Sequence, residues 1–404
     1  MLRPRRQAHV RAVTRALART TRFDHNAPRR IMRTARAAID VLHILLCIAL
    51  SVSVSLVAWA DDPSPVPGDV QESIRARVDL GLNAGIVIGV VTPQRTTFYA
   101  YGAMTVGGDA PVDEYTLFEI GSIGKTFTAL LLADAVERGD LALDDMIDAD
   151  LPSSVVPPSQ RGRSIRYRDL ATHTSGLPPI PENLDPADWN NPYADYTVDQ
   201  LYQAISGFAL TTLGTYEYSN LAFGLLGHLL ELRYGTSYED LVVERICDVL
   251  GMPDTRATLS EEQRSRTATG YREGEAFPIW DNPTLAGAGC LLSTAQDLTT
   301  FVAANLGLLE SPLDAAMQLT HRIYLRYPML VGLAWHLFDR GGRRIVEHHG
   351  GTGGCWSYVG FAVEERVGVV VLSNTYADVN DLGIHVLDPT SPLRGPIPDE
   401  ADSG

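Results

Sequence analysis

Residues 118–127 read FEIGSIGKTF, and a helical pattern continues from Thr126 to Arg138. Ser122 follows a glycine at the predicted entry of this helix, and Lys125 comes three residues later. Because positions three apart lie on the same face of a helix, we expect the lysine amine next to the serine hydroxyl. Lys125 is the one lysine of a chain that holds 33 lysine and arginine residues together.

This pair predicts a nucleophile beside its base. Arginine stays protonated in proteins, whereas a desolvated lysine can lose its proton. A neutral amine one helical turn from a hydroxyl can activate that hydroxyl. A helix start also offers free backbone N–H groups and a positive dipole end, which can hold an oxyanion. By itself, Ser-x-x-Lys also fits an exposed helix with a solvated lysine, so other segments have to support the interpretation.

A second candidate segment is YEYSNL, residues 216–221, at a predicted loop-to-helix junction. Its Tyr218 and Asn220 are alternate residues, which point to the same side of an extended backbone. We expect Lys125 to lower the pKa of the Tyr218 phenol, which would then exchange protons with the serine or with a leaving group. Asn220 offers an amide to Lys125 and to a substrate carbonyl. The alternative is a helix N-cap made by Ser219 or Asn220, with the tyrosine in the core.

A third candidate segment is HHGGTGGCWSYVGF, residues 348–361, which predicts a strand, a glycine-rich turn and a second strand. The glycines leave room for a flat substrate at the strand edge. The backbone N–H of Gly351 is a candidate second oxyanion donor. Trp356 is a candidate for lining the substrate groove, although an aromatic residue beside a strand is more often part of the core. Alone, the segment would be an ordinary hairpin.

Together, the three segments resemble the serine penicillin-recognising enzymes: class C β-lactamases, serine D-Ala-D-Ala carboxypeptidases and the related family VIII-type esterases. The elements Ser-x-x-Lys, Tyr-x-Asn and Lys- or His-x-Gly occur in the family's order. They fall at residues 122–125, 218–220 and 348–350. Residues 171–178 and 289–298 also look like the family, and the resemblance covers roughly residues 70–375.

The resemblance implies catalytic roles for three residues. Ser122 is expected to be the acylated nucleophile. Lys125 and Tyr218 are expected to share the duties of general base and general acid, and the sequence does not decide which of them takes the serine proton. No metal ion and no organic cofactor is implied.

The resemblance also implies binding roles. Asn220 is expected to orient the lysine and the substrate. The backbone N–H groups of Ser122 and Gly351 are expected to form the oxyanion hole. His348 and Gly350, together with Gly351, are expected at the substrate-binding edge, where His348 would bind a substrate carboxylate.

Two residues depart from the class C pattern. Gly124 stands before the motif lysine, where serine or alanine is usual, and His348 opens the third motif, where lysine is usual. Histidine is largely neutral near pH 7, and its presence here looks more like the carboxypeptidase and esterase branches. We expect a secreted D-alanyl-D-alanine carboxypeptidase or β-lactamase that acts through an acyl-serine. The alternatives are a small-ester esterase and a non-hydrolytic penicillin- or muropeptide-binding sensor.

The distribution of periodic segments predicts the fold. Two β-runs, Gly85–Val91 and Thr96–Tyr101, lie near the start, helical patterns follow, and β-runs return near the end. The later runs are Leu333–Phe338, Arg344–His349, Ser357–Val363 and Val367–Ser373. This order predicts an α/β (α+β) fold in which one antiparallel sheet is built from both chain ends and flanked by helices, with a mainly helical lobe inserted.

We therefore predict a hydrolase domain at residues 70–387, followed by a loose tail at 388–404. The sheet-containing part is expected at about 70–135 and 285–387, and the helical lobe at about 136–284. Before the domain, residues 61–69 form a Pro- and Asp-rich linker.

The first 60 residues predict export. They contain eleven arginines, an apolar stretch from about residue 41 to 59, and the small-x-small ending Ala58-Trp59-Ala60. These are the parts of a secretory signal, with cleavage expected after Ala60. The apolar stretch is long, so an uncleaved membrane anchor is the alternative. In both cases the folded part is expected outside the cytoplasm.

The net charge of the chain limits the classes of partner that we expect, and the cysteines limit the disulfides and metal sites. The net charge is −16 although the leader is basic, so the rest of the chain is more acidic still, which argues against nucleic acid and anionic lipid as partners. A small-molecule or peptide substrate is expected, and the oligomeric state stays open. Cys247, Cys290 and Cys355 allow one disulfide at most, and their spacing is not that of a zinc site.

Overall fold

The computed structural model describes residues 64–206, 208–340 and 342–395. The predicted leader, the first part of the linker and the end of the predicted tail lie outside these ranges, so the expectations for them remain predictions. Within the described ranges, no helix combines the length and the apolar character needed to cross a membrane.

The helices and strands follow one another along the chain as the sequence pattern predicted in outline. The helices are α1 (Gly68–Asp79), α2 (Gly124–Glu137), α3 (Tyr167–Ala171), α4 (Val198–Ser206), α5 (Asn220–Tyr234), α6 (Tyr238–Val242), α7 (Asp248–Leu250), α8 (Glu261–Ser265), α9 (Ala295–Asn305), α10 (Asp314–Thr320) and α11 (Asn380–Leu387). The strands are β1 (Gly85–Val91), β2 (Thr96–Gly102), β3 (Phe118–Glu119), β4 (Ser159–Gln160), β5 (Arg163–Ser164), β6 (Gly270–Arg272), β7 (Glu275–Phe277), β8 (Leu292–Ser293), β9 (Leu330–Val331), β10 (His336–Arg340), β11 (Arg343–Gly351), β12 (Trp356–Ala362) and β13 (Val367–Ser373).

A seven-stranded sheet has the order β2-β1-β13-β12-β11-β10-β9, and its neighbouring strands are antiparallel. Strands from the two ends of the chain pair in its interior, with Ile88 of β1 opposite Val371 of β13. The prediction of one antiparallel sheet built from both chain ends is confirmed. Residues 136–284 contribute no strand to this sheet within the described ranges, and the exact limits of the helical lobe remain a prediction.

Both faces of the sheet are covered, which explains why β1 is buried along its whole length. Successive side chains of a strand point to opposite faces. Ile88 accordingly belongs to the core beside α1 and α11, whereas Val87 belongs to the larger core that includes α2 and α9. Gly89 allows α9 to pack closely, because a Cβ atom there would lie 2.6 Å from Cγ2 of Thr299.

Helix α2 is buried from Gly124 to Ala135 and lies in the larger core. A helix that is apolar on every side is normally an interior helix. Phe127 of α2 stacks on Phe301 of α9, with 4.4 Å between the ring centroids. Because Lys125 is on this interior helix, its amine is withdrawn from bulk water.

The structure differs from the predicted pattern at three places. The helical sequence pattern from Tyr238 to Leu250 does not form one regular helix, because a π-helical turn, Val243–Cys247, separates α6 from α7. The strand expected from Leu333 begins only at His336, because Ala334 has a φ of 65°, which breaks an extended chain. Helix α11 had no predicted counterpart.

The first part of the predicted loose tail, residues 388–395, is held against the fold. The backbone N–H of Arg394 donates to Asp381 of α11 at 2.8 Å, and the carbonyl of Arg394 accepts from Arg77 of α1 at 3.3 Å. The expectation of a loose tail is therefore wrong for these residues. Within the described ranges, Cys247, Cys290 and Cys355 are free thiols.

Candidate active site

Ser122 lies in a short 3₁₀ turn, Gly121–Ile123, between β3 and α2. Gly121 has a φ of 48°, and a Cβ atom there would lie 2.9 Å from the backbone nitrogen of Gly351. Glycine is therefore needed both for the backbone conformation and for the close approach of β11. The turn presents the Ser122 side chain to a cleft.

The Lys125 amine lies where the three-residue spacing predicted it. Its Nζ is 2.9 Å from Oγ of Ser122 and donates to the carbonyl of Ala288 at 2.6 Å. The side chain is fully buried, and this burial lowers the pKa of Lys125 to about 7. The amine is thus neutral in a large fraction of molecules at physiological pH.

Tyr218 lies at the same point of the cleft. Nζ of Lys125 is 5.0 Å from the centroid of its ring, and its hydroxyl interacts with the Ser122 side chain. Burial raises the pKa of Tyr218, an effect that the hydrogen bond with Ser122 opposes. The expectation that Lys125 lowers the pKa of this phenol is wrong, because the amine lies over the ring face and the phenol is withdrawn from water.

The Tyr218 ring is supported by His173, whose role the sequence reasoning missed. The two rings stack with 4.3 Å between their centroids, and Nδ1 of His173 accepts the backbone N–H of Ser219 at 3.0 Å. Burial lowers the pKa of His173 far below its ordinary value, which keeps Nδ1 available as an acceptor. Its place in the family-like segment 171–178 was the available signal.

Asn220 begins α5 and faces a small pocket together with Ser122. Ser219 is the N-cap, since its Oγ accepts the N–H of Ala222 at 2.9 Å, as one alternative proposed. The expected hydrogen bond between Asn220 and Lys125 is not formed. Nζ of Lys125 donates instead to the carbonyl of Ala288, the last residue of a 3₁₀ turn, Ala286–Ala288, that packs against α2.

The close packing of this turn gives a reason for Gly124. A Cβ atom on Gly124 would lie 3.1 Å from Cα of Gly289, tighter than an ordinary contact. Gly289 itself contacts the turn Gly121–Ile123, which we call the nucleophile turn after the role expected of Ser122, since a Cβ atom added to Gly289 would lie 2.6 Å from the carbonyl oxygen of Gly121. Glycine before the lysine thus lets the Ala288 carbonyl approach the buried amine.

Gly350 and Gly351 bring β11 alongside the nucleophile turn. A Cβ atom on Gly350 would overlap the carbonyl of Ile120 and would lie 2.8 Å from the backbone nitrogen of Ser122. The backbone nitrogens of Ser122 and Gly351 consequently lie on adjoining segments at one edge of the cleft. This is the arrangement that two oxyanion donors require.

The structure corrects the expectation for His348. Its side chain is only 1% exposed, and its Nδ1 donates to the carbonyl of His349 at 2.7 Å. Its ring stacks on His336 with 5.3 Å between centroids and lies 6.4 Å from that of Tyr218. Burial lowers the pKa of His348 far below its ordinary value. A buried neutral imidazole does not bind a substrate carboxylate, so the predicted contact is wrong.

The neighbouring His349 reaches the cleft instead. Alternate residues of a strand point to opposite faces, and His349 is the exposed member of the pair. The cleft in front of Ser122 has a volume of about 420 Å³. Its walls include Tyr216, Arg272, Trp280, His349, Trp356 and Tyr376. Trp356 therefore lines the groove, which was the less common of its two expected places.

Glu119 is a second residue that the sequence reasoning missed. Its carboxylate accepts the backbone N–H of Trp280 at 2.9 Å and the hydroxyl of Thr352 at 3.1 Å. Burial raises the pKa of Glu119 to about 7. The signal available in the sequence was an acidic residue within the otherwise apolar residues 118–121. The residue ties the strand before Ser122 to two walls of the cleft.

Comparisons with known proteins agree with this geometry. The sequence model of the family described as Beta-lactamase matches residues 70–384. A beta-lactamase of Pseudomonas fluorescens is 29% identical over 331 residues, which cover 72% of this chain and 88% of that protein. The D-alanyl-D-alanine-carboxypeptidase/endopeptidase AmpH of Escherichia coli K12 is 26% identical over 347 residues, which cover 81% of this chain and 89% of that protein.

A solved structure is similar over the same region. The crystal structure of a class C beta lactamase from Rhodobacter sphaeroides superposes with a TM-score of 0.70 at 26% identity. The match covers 80% of this chain and 98% of that one. The family match extends over most of the chain, and the serine, the lysine and the tyrosine meet in one cleft. The chain therefore belongs to the beta-lactamase family and is a serine hydrolase.

Proposed function

We propose that this protein cleaves an amide or ester through a covalent acyl intermediate on Ser122, as a D-alanyl-D-alanine carboxypeptidase or a β-lactamase. The observation that carries the proposal is the buried amine of Lys125, 2.9 Å from Oγ of Ser122, with a pKa lowered to about 7. A base is most effective when its pKa lies near the working pH.

In acylation, neutral Lys125 takes the proton of Ser122 while Oγ attacks the substrate carbonyl. The carbonyl oxygen becomes an oxyanion, which the backbone N–H groups of Ser122 and Gly351 hold. The hydrogen bond from Nζ to the Ala288 carbonyl persists in both protonation states of the amine, because either state keeps an N–H. It fixes the amine during the transfer.

Tyr218 completes the proton transfers in this proposal. Burial raises its pKa, so the phenol keeps its proton and donates it to the leaving amine or alkoxide as the acyl bond breaks. The Lys125 ammonium then returns a proton to the phenolate. In deacylation, water takes the place of the leaving group, and the same groups act in reverse until Ser122 is free and the acid product leaves.

Two of the relatives suggest substrates. The names of the Pseudomonas and Escherichia relatives specify a beta-lactamase and a D-alanyl-D-alanine carboxypeptidase. The alternative of a small-ester hydrolase has one supporting observation, since the residue that opens the third motif, His348, is buried and neutral. A non-hydrolytic sensor fits less well, because Ser122, Lys125 and Tyr218 keep the geometry that proton transfer needs.

Substrate turnover by the full chain tests the proposal. The protein and its Ser122→Ala variant would be mixed with a fluorescent penicillin, a chromogenic cephalosporin, a D-Ala-D-Ala peptide and p-nitrophenyl acetate. Stable labelling with peptide turnover identifies a carboxypeptidase, and rapid cephalosporin turnover identifies a β-lactamase. Turnover of the ester alone supports the esterase, and binding without turnover supports the sensor. If Ser122→Ala were as active as the native protein, the assignment of Ser122 as the nucleophile would be wrong.

We also propose that the hydrolase acts outside the cytoplasm. The basic start, apolar stretch and small-x-small ending within residues 1–60 support this location. Expression in a bacterial host followed by N-terminal sequencing checks it. A periplasmic or secreted protein beginning at Asp61 is expected, and a membrane-bound protein that retains its leader would indicate the anchor. A cytosolic protein with an intact leader would refute the proposal.

A further inference from the structure

Arg272 supplies the permanent positive charge that faces the cleft. Among the described residues that line the cavity in front of Ser122, it is the one side chain that is charged at every physiological pH. The two imidazoles in the same lining are disfavoured as cations, because partial desolvation within the cleft lowers the pKa of His349, although its side chain stays exposed at one face, and burial lowers that of His336 to about 4. Arg272 is therefore a candidate for the carboxylate-binding role that was first expected of His348.

The backbone that carries Arg272 is fixed. Arg272 ends β6, and the N–H of the preceding Tyr271 donates to the carbonyls of Gly354 at 2.9 Å and Asn374 at 3.0 Å. These two carbonyls belong to the glycine-rich turn after β11 and to the end of β13. The arginine is therefore attached to the same framework that holds the proposed oxyanion donor.

The charge of Arg272 has no protein counterion within the described part of the chain. Glu275 stands opposite it across the β6–β7 hairpin, yet the two side chains form no ion pair. The guanidinium carbon instead lies 4.7 Å from the ring centroid of Tyr376. An aromatic face orients the planar guanidinium and leaves its N–H groups available to an anion.

An aromatic wall connects Arg272 to the reacting atoms. We use this name for His349, Trp356 and Tyr376. The rings of Trp356 and Tyr376 meet edge to face at 5.2 Å, and His349 stacks on Trp356. A Cβ atom on Gly351 would lie 3.2 Å from the Tyr376 ring and 3.4 Å from the Trp356 ring. The aromatic wall thus extends from the proposed oxyanion donor Gly351 to Tyr376, and the guanidinium of Arg272 lies over the Tyr376 ring.

We infer that Arg272 binds a carboxylate of the acyl donor and thereby directs this enzyme toward anionic substrates. The inference rests on the proposed acyl-Ser122 chemistry and adds the substrate class. A guanidinium forms paired, charge-assisted hydrogen bonds with a carboxylate. The free carboxylate of a D-amino acid end and that of a β-lactam nucleus both meet this requirement, whereas a neutral ester does not.

Matched substrate pairs test the inference. A D-Ala-D-Ala peptide would be compared with its C-terminal amide, and a penicillin with its methyl ester, in the native protein and in Arg272→Gln. We expect Arg272→Gln to lower kcat/KM for each carboxylate by about ten- to a hundredfold, mainly through KM, and to change it for each neutral partner by less than about threefold. The peptide and penicillin arms show which source of carboxylate is preferred.

Arg326→Gln is the matched control, because Arg326 is an exposed arginine outside this cavity and is expected to leave both members of each pair unchanged. Thermal unfolding checks that both variants fold. An equal loss on acid and neutral partners would mean that Arg272 acts only through structure, and no loss would mean that its charge is irrelevant. Either result overturns the inference and leaves the acyl-serine proposal intact.

A binding measurement separates the two proposals. In the Ser122→Ala background, calorimetry would compare the D-Ala-D-Ala peptide with its amide, with and without Arg272→Gln. We expect tighter binding of the acid, and loss of this preference in the double variant. If Ser122→Ala binds acid and amide equally, the inference is wrong whatever the turnover. If that preference is present but no substrate acylates Ser122, the proposed function fails and the anion site stands.

Discussion

Lys125 has no carboxylate partner within the described residues, so its protonation is set by burial alone. Burial lowers its pKa from 10.5 to about 7. The amine is protonated below that value and neutral above it, so activity that needs a neutral base should rise with pH through 7. A partner carboxylate would instead have raised the pKa of Lys125 and moved this rise in activity to higher pH.

We therefore predict that kcat/KM for acylation falls about tenfold per pH unit below pH 7 and is level just above it. Stopped-flow acylation by a substrate without ionisable groups between pH 5 and 9 measures this limb. A neutral ester such as p-nitrophenyl acetate meets this requirement. A rate that still rises about tenfold between pH 8 and 9 would mean that Lys125 is not the base or that its amine is not desolvated.

Tyr218 supplies a second prediction at the residue scale. Tyr218→Phe removes the hydroxyl that interacts with Ser122 but keeps the ring that stacks on His173. We expect a loss of turnover of about a hundred- to ten-thousandfold with little change in stability. Tyr216→Phe is the control, since the Tyr216 hydroxyl contacts His336 at 3.0 Å rather than the nucleophile. Equal effects of the two variants on kcat would contradict the role of Tyr218.

At the scale of elements, the site depends on how closely β11 approaches the nucleophile turn. Gly350→Ala places a methyl group against the carbonyl of Ile120 and the N–H of Ser122. We expect a large loss of activity, and a lower melting temperature, because backbone atoms cannot give way without moving the strand. Gly68→Ala is the control, since a Cβ atom there has nothing within 4 Å. Wild-type acylation by Gly350→Ala would show that this contact is not needed.

Glu119 joins β3 to the walls of the cleft and makes stability depend on pH. Burial raises its pKa from 4.5 to about 7. Between these values the folded protein binds a proton that the unfolded chain has released, so this residue's contribution to stability declines as pH rises from 4.5 to 7.

Glu119→Gln should remove that decline while keeping a side chain of the same shape. We expect the unfolding free energy of Glu119→Gln, relative to that of the native protein, to increase between pH 5 and pH 8 by at most about 3 kcal/mol. Urea unfolding of both proteins at the two pH values measures the gain. A difference between the proteins that is the same at pH 5 and pH 8 would contradict it.

At the scale of the whole molecule, a buried ion pair joins the first and last helices of the part of the chain that the structure describes. Arg77 of α1 and Asp381 of α11 form a two-pronged contact at 2.5 and 3.1 Å, and their side chains are 7% and 6% exposed. Both helices cover the same face of the sheet. The pair therefore links two helices of that layer that are far apart in the sequence.

Arg77→Ala leaves the Asp381 carboxylate buried without its partner. We expect a loss of about 3–5 kcal/mol in the free energy of unfolding, measured by urea denaturation. Arg138→Ala removes an arginine that is 55% exposed and 3.7 Å from Asp140, and it should cost about 1 kcal/mol or less. Similar losses for the two variants would mean that the α1–α11 pair is not a buried one in solution.

Local sequence pattern was sufficient to predict much of this fold. The i, i+3 geometry of a helix placed Lys125 beside Ser122, and alternation with turn residues placed β1 and β13 close to their true limits. Pattern failed where the backbone departs from regular geometry, as at Ala334, whose positive φ delays the start of β10. It also failed for α11 and the following residues, which the contact with Arg77 holds in place.

The sequence by itself determined that Lys125 lies beside Ser122 and that strands from both ends share one sheet, because helical spacing and periodicity decide these. Only the tertiary structure decided the pKa of Lys125, the choice of the Ala288 carbonyl over Asn220 as its partner, and the exposure of Arg272 rather than His348 to the cleft. Desolvation and orientation arise when segments distant in sequence pack together, and no local pattern records the water that this packing removes.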